Sequence, residues 1–586
     1  MGLFSFIFKM RSVKMKMFVV ITLILVIYLI VSYVLLEKWY TRSQKDQDRD
    51  SLEQKWNITL QYVVVHLDLK GSPPLLSYLQ SILKQLKDHG TTALLMEYED
   101  MFPFEGALVN LTARNCYKKD ELKEFLTFAV QMGLEIIPLV QTFGHMEYAL
   151  KLREFQHLRE DPKYPDSICP SANESQELIR EILRQVIQFH STIAPLKHIH
   201  IGFDEVYQFR VCDLCFQKKT KLDVLLSHVK FISGVIWDLS PKTTILTWED
   251  MFKGIRPTHA IDLRFPNMES VCWDYAGSTL DTLHPNLYMY QRMFDNQWVA
   301  SAYKGADGST RTIPNLYKRF ENHLHWLNFI MTYESIYKLY RFKGIILTGW
   351  SRYSHMEPPC ELLPVAMPSL LLNLILIEKY HKGIFYKQEL NKSSSQRGKN
   401  IEKQRDQHQQ EYINNYIAND LNSALMCENC IVDGSLSSFQ AHTCVFEGSA
   451  LYAVLERYNK LRKIYSFQFF GVSDSAISLE LNMDDLKEGY VNMYKVKSIM
   501  DTSTMMMKQL TMLESQMMDA MTVYYDKFVI DEYVNLKLSK MKKDLHELIQ
   551  YLNKYYVVKD WPRRPYIINS TINFETEPDD SELRFY

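Results

Sequence analysis

Eight short apolar segments, spaced along residues 62–348 with amphipathic stretches between them, limit what this chain can fold into. They are Tyr62–Leu67, Ala93–Glu97, Leu134–Val140, His198–Phe203, Thr244–Trp248, Ser270–Trp273, Trp298–Ser301 and Gly344–Thr348. Each has the length and composition of a strand. Between them, stretches such as Glu174–Ser191 place Leu178, Ile179, Ile182, Leu183, Val186 and Ile187 on one helical face. Strands that alternate with helices pair in parallel. Eight β–α units over about 320 residues suit an α/β fold, a (β/α)8 TIM barrel with some long loops. A doubly wound open sheet shares the alternation but normally needs fewer strands.

The flanks differ from this core. Met17–Leu36 is a run of twenty residues without a charge, about the length that crosses a ~30 Å hydrocarbon layer as a helix. Lys9, Arg11, Lys14 and Lys16 precede it with no acid among them, whereas charges of both signs follow. The positive-inside rule then keeps the tail cytosolic and sends the rest to the lumen as a single-pass type II protein. A cleaved signal peptide is the competing reading, but the run is long for one and no A-x-A site follows. The expected organisation is tail 1–16, membrane helix 17–36, stem 37–57, barrel 58–387, a polar flexible insertion 388–443, and a mainly helical region 444–586. In that last region Met505–Met507, Leu510, Met512, Leu513, Met517, Met518 and Met521 read as helix core.

Composition excludes some functions. Lys and Arg number 67 against 69 Asp and Glu, so no basic excess recommends a nucleic-acid partner. Hydrophobic residues at 47% and aromatics at 13% mark a packed globular protein. Sequons at Asn57, Asn110, Asn173, Asn391 and Asn569 fit a lumenal chain, and all nine cysteines lie beyond the apolar run, where disulfides form. Cys212-x-x-Cys215 and Cys427-x-x-Cys430 have zinc-like spacing, so a joint four-thiolate site is one arrangement to test, with disulfides favoured and no metal assigned.

In a barrel the chemistry collects at the C-terminal strand ends. Here those ends run into Asp68 and Lys70; Glu97, Glu99 and Asp100; His145 and Glu147; Asp204 and Glu205; Trp248, Glu249 and Asp250; Trp273, Asp274 and Tyr275; and Trp350, Arg352 and Tyr353. A single strand-end acid is usually an exposed loop charge, and a lone tryptophan is usually core. Their recurrence on most strands suits a sugar site, where indole faces pack on a pyranose and carboxylates accept its hydroxyls. No phosphate-binding glycine loop, G-x-S-x-G or H-E-x-x-H occurs.

The stretch HIGFDE (200–205) resembles the H-x-G-x-D-E signature of glycoside hydrolase family 20, the β-N-acetylhexosaminidases. VVVHLDLKGSPP, LLMEYEDMFPF, IIPLVQTFGHMEYALK, SAYKGADG and LTGWSRYSHMEPPCELLPVAMPSLLLN are similar, more narrowly, to its hexosaminidase D branch, from about Tyr62 to Asn373, with a fainter echo in CVFEGSALY. The resemblance implies a (β/α)8 catalytic domain without a cofactor. It also implies substrate-assisted retaining removal of terminal β-GlcNAc or β-GalNAc from glycans, in which the 2-acetamido oxygen replaces a protein nucleophile. Asp204 would hold the acetamido group, and Glu205 would be general acid and base. His145, Trp248, Trp350, Trp273, Asp68, Lys70, Glu97 and Asp274 would shape the sugar pocket. Two departures stand out: Lys70 replaces the arginine many members carry, and Phe203 replaces a smaller residue. The layout of tail, span, stem and lumenal domain points to the Golgi. A catalytically silent sugar-binding protein and a classical two-carboxylate glycosidase are the competing readings, and the oligomeric state is not legible.

Overall fold

The computed structural model describes residues 60–218, 220–255, 263–276, 280–336, 342–385, 407–470 and 492–556. The chain divides into two compact units, one of residues 1–59 with 380–385 and one of residues 60–379 with 386–586. Within the first, the described residues are 380–385, where the rings of Tyr380 and Phe385 meet edge to face at 5.3 Å. The expected membrane span at 17–36, and the sequons at Asn57, Asn391 and Asn569, lie outside the described residues. Everything below concerns the second unit.

Among the described residues ten strands are present: β1 (Tyr62–Asp68), β2 (Ala93–Glu97), β3 (Glu135–Leu139), β4 (Arg159–Asp161), β5 (Tyr164–Ile168), β6 (His198–His200), β7 (Thr244–Trp248), β8 (Met268–Trp273), β9 (Gln297–Lys304) and β10 (Phe342–Gly349). Eight of them close a parallel barrel in the order β1-β10-β9-β8-β7-β6-β3-β2, while β4 and β5 form a separate antiparallel hairpin. All eight expected strands are therefore the barrel strands, two of them with the expected bounds.

Alternation explains the interior. Val64 on β1, Leu95 on β2, Ile137 and Leu139 on β3, Leu246 on β7, Val271 on β8, Trp298 and Ala300 on β9 and Ile346 on β10 pack into one buried cluster, which only inward-facing residues of a closed barrel can do. Stepping by two from these positions reaches Asp68, Glu97, Trp248, Trp273 and Trp350 at the C-terminal ends. The same parity that fills the barrel thus delivers acids and indoles to one mouth. Asn173–Ser191 is a helix with the expected apolar face buried. Among the described residues one helix, Leu363–His381, is long and apolar enough to cross a membrane, but 89% of its apolar window is buried in the fold, as suits a core helix.

Of the polar segment 388–443, residues 388–406 lie outside the described residues. From residue 407 it is helical, with a π-helical turn at Ile413–Ile417 and an α-helix at Ala418–Ala424, and Cys427 is bonded to Cys444. Buried Tyr412, Ile413, Ile417 and Leu421 supply the apolar anchors that low average hydropathy conceals. The expected helical region follows as Ser449–Phe470, Met493–Met521 and Lys527–Tyr555. Its methionine run splits: Met506, Leu510, Leu513, Met517 and Met521 are buried at helical spacing, whereas Met505, Met512 and Met518 are exposed.

Candidate active site

The adjacent acids Asp204 and Glu205 share a pocket because the strand before them stops early. Expected to run to Phe203, β6 ends at His200, and Gly202, Phe203 and Glu205 adopt left-handed φ of 72°, 80° and 46°. Glycine is needed at 202, since a Cβ there would stand 2.0 Å from Gln141 Oε1. Phe203 swings outward, where it packs against Phe143 and stacks on His228 at 5.4 Å. The backbone then turns Asp204 and Glu205 into the same cavity, which strict alternation would forbid.

A second strained loop meets the first. After β3, Gly144 passes so close that a Cβ would lie 2.4 Å from the Asp204 carbonyl. The next residue, His145, is also left-handed, at φ 51°. Its Nε2 stands 3.5 Å from Asp204 Oδ2 and 3.5 Å from Glu205 Oε2. Burial pulls the imidazole down, but the two carboxylates outweigh it and raise its pKa to about 9. Burial raises Asp204 to about 7; His145 opposes this, while Asp250, Glu97 and Glu205 add to it. Glu205 moves the other way, held low chiefly by the His145 hydrogen bond against partial burial. Asp204 Oδ1 is buried without a hydrogen-bond partner.

Aromatic side chains wall a cavity of about 540 Å³, within the size range of small-molecule sites. Trp248 is buried at its floor, 6.1 Å from Trp350, whose Nε1 donates to the Tyr275 hydroxyl at 3.1 Å. Trp273 packs on Tyr275 and donates to Asp250 Oδ1, and Asp250 Oδ2 accepts the Glu205 backbone N–H at 2.8 Å. One partly buried carboxylate thereby ties an indole wall to the turn that carries Glu205. Lys70 reaches over Trp350 and pairs with Glu99 at 3.1 Å. Arg352 also lines the cavity while paired with Glu532 of the Lys527–Tyr555 helix, so the C-terminal region braces this wall.

Of the residues expected from the sequence, Asp204, Glu205, His145, Lys70, Trp248, Trp273 and Trp350 line the cavity, and Asp68, Glu97 and Asp274 do not. Glu97 lies one layer deeper, fully buried, accepting from His66 at 3.0 Å and Gln141 at 3.1 Å. Asp68 accepts the backbone N–H groups of Lys70 and Ser351, which locks the loops after β1 and β10 together. Asp274 Oδ1 accepts the N–H of Ala276 and closes its own turn. Asp166 on β5 and Tyr207 also line the cavity and escaped sequence reading. Tyr207 follows Glu205 by two positions, and that proximity is the one signal that could have flagged it.

The cysteines also rearrange. Cys427 forms a disulfide with Cys444, the favoured kind of pairing, so the two C-x-x-C pairs do not share one four-thiolate site; Cys212 and Cys215 instead meet Cys169.

Comparison with known proteins gives the family. Residues 81–281 match the glycosyl hydrolase family 20 catalytic domain. Hexosaminidase D of Bos taurus is 39% identical over 321 residues, 53% of this chain and 90% of that protein. Hexosaminidase D of Homo sapiens is 38% identical over 324 residues, 54% of this chain and 65% of that protein. A crystal structure of a β-N-acetylhexosaminidase from Bacteroides fragilis aligns with TM-score 0.40 and 12% identity, over 61% of this chain and 72% of that one. The chain belongs to glycosyl hydrolase family 20, in its hexosaminidase D branch, and is a glycoside hydrolase of the β-N-acetylhexosaminidase type.

Proposed function

We propose that this chain removes terminal, non-reducing β-linked N-acetylhexosamine from glycans by substrate-assisted retaining hydrolysis, with Asp204 and Glu205 as the catalytic pair. The observation that carries this reading is the convergence of the two adjacent carboxylates on His145 inside an indole-walled cavity. The unpartnered Asp204 Oδ1 is a buried acceptor, suited to the N–H of a 2-acetamido group. Ionised Asp204 then orients the acetamido oxygen toward the anomeric carbon and stabilises the positive oxazolinium that forms. Glu205 protonates the leaving oxygen and afterwards takes a proton from water.

In the open pocket the protonation pattern is the reverse of what this chemistry requires, because Asp204 is raised and Glu205 lowered. Substrate corrects it. An amide N–H donated to Asp204 favours its ionised form, while a sugar covering Glu205, whose side chain is 40% exposed, desolvates it and favours its acid form. The two groups titrate as a pair, and the bound acetamido group decides which of them holds the proton.

The test is hydrolysis of aryl β-GlcNAc and β-GalNAc by the full chain. Glu205→Gln is expected to lower kcat/KM by about 10²–10⁴-fold. An oxazoline-mimicking thiazoline is expected to inhibit the wild type. An active enzyme indifferent to the thiazoline would replace this mechanism with a protein nucleophile.

The proposal extends to location: a Golgi enzyme tethered through residues 17–36, with its catalytic unit in the lumen. The uncharged run behind a basic tail, the Cys427–Cys444 disulfide and the exposed sequon residue Asn110 support it. Protease added to sealed microsomes is expected to spare the catalytic unit; its digestion would reverse the orientation.

A further inference from the structure

Beside the pocket, two separate stretches of chain meet through sulfur. Cys169 follows β5 directly, and its Sγ lies 3.2 Å from that of Cys212 and 3.6 Å from that of Cys215. Glu160 on β4 is 1% exposed. Its Oε1 accepts the N–H groups of Val211 and Cys212, at 2.6 and 3.1 Å, while its Oε2 is buried with no hydrogen-bond partner. One ligand atom from each of these four residues lies within 4.8 Å of every other. Val224, Ala172 and Phe209 pack around the sulfurs, of which those of Cys169 and Cys215 belong to buried residues and that of Cys212 to a partly buried one.

We propose that Cys169, Cys212, Cys215 and Glu160 hold a structural zinc ion that fastens the β4–β5 hairpin to the loop following Glu205. Three thiolates and one carboxylate complete a four-coordinate site with no open position, the mark of a structural rather than a catalytic zinc. Sulfurs on a zinc tetrahedron with ~2.3 Å bonds stand roughly 3.8 Å apart, close to the spacing here and far from the ~2.05 Å of a disulfide. As three S–Zn bonds form, three thiol protons leave to solvent. The Cys215 N–H already points at Cys212 Sγ, 3.4 Å away, and the Ser171 hydroxyl lies 3.2 Å from Cys215 Sγ, so donors for the thiolates are in place.

A disulfide explains less of the arrangement. It would join two sulfurs, strand the third, and leave Glu160 Oε2 buried without a partner. The zinc uses all four groups. It also has a consequence for the pocket, since the hairpin carries Asp166 and the fastened loop carries Tyr207, both of which line it.

The test is elemental analysis of the full chain, purified without added metal or chelator, with mass-spectrometric mapping of cysteine alkylation. The expected result is about one zinc per chain. Cys169, Cys212 and Cys215 are expected to resist alkylation until a strong chelator strips the ion. Both readouts use the wild type, so a variant that fails to fold does not decide the matter. Glu160→Gln retains the acceptor for the two N–H groups and is expected to weaken zinc retention about 10-fold or more, judged by loss to chelator. A zinc-free wild type would overturn the proposal, whether Cys169 is found in a disulfide with Cys212 or Cys215 or all three thiols alkylate freely. None of these readouts depends on hydrolytic activity, so this proposal and the catalytic reading fail separately.

Discussion

At the N-terminal mouth of the barrel, Glu135, His198, Lys343 and Glu269 form an unbroken chain of polar contacts of 2.5, 3.2 and 2.6 Å. Glu269 additionally accepts from Trp298 and Asn296, so both its oxygens are engaged. At the C-terminal mouth a single imidazole stands 3.5 Å from two carboxylates at once, and one oxygen of Asp204 has no partner. The acids at the N-terminal mouth are delivered by inward parity, and those at the C-terminal mouth by the turn that ends β6. The end that has spent its hydrogen-bonding capacity serves the fold, and the end that has kept some in reserve can bind and transform a ligand. That contrast matches the general division of labour between the two faces of such barrels.

Substitution at each mouth sharpens the comparison. The Glu205→Gln change, with its loss of orders of magnitude in kcat/KM, is expected to leave the melting temperature nearly unchanged. Glu269→Ala at the opposite mouth should do the reverse. Removing one partner of a buried ion pair strands the other, so a loss of about 3–5 kcal/mol is expected in denaturant unfolding, with kcat of the remaining folded enzyme unaltered. Equal effects of the two substitutions on activity would dissolve the distinction.

A smaller effect is expected in the pH dependence of stability. His145 has a folded pKa of about 9 against an ordinary 6.5, so the native state binds more protons than the unfolded chain between those values. Its stabilisation is therefore complete below pH 6.5 and is lost as pH rises through 9. Asp204, raised to about 7, acts in the same sense over a lower range, between its ordinary 3.8 and 7. His145→Asn, which suits the left-handed backbone at this position, is expected to flatten the decline in melting temperature between pH 6.5 and 9. A decline of unchanged slope in the variant would place the responsible proton elsewhere.

The barrel was legible because inward and outward alternation and strand length are local properties, as Ala93–Glu97 and Thr244–Trp248 illustrate. The proposed catalytic pair was legible because Asp204 and Glu205 stand next to each other within a recognisable motif. Depth was not: Asp68 and Glu97 share the inward parity of the lining residues, but their oxygens are engaged by groups 283 and 44 positions away, respectively Ser351 and Gln141. Asp166 reaches the pocket on a hairpin that no period announces. The pairing of Cys169 with Cys212 spans 43 residues and depends on how that hairpin folds back. In each case the missing information was tertiary.

The left-handed backbone at His145, Phe203 and Glu205 has a further consequence for the enzyme's evolution. A side chain held in that region is strained by ~1 kcal/mol or more, and glycine relieves the strain without disturbing the path of the chain. The easiest route to a sturdier protein therefore runs through the loss of its proposed acid/base residue. Selection for heat resistance alone would drift toward Glu205→Gly, and on the proposed mechanism it is the demand for hydrolysis that opposes this drift.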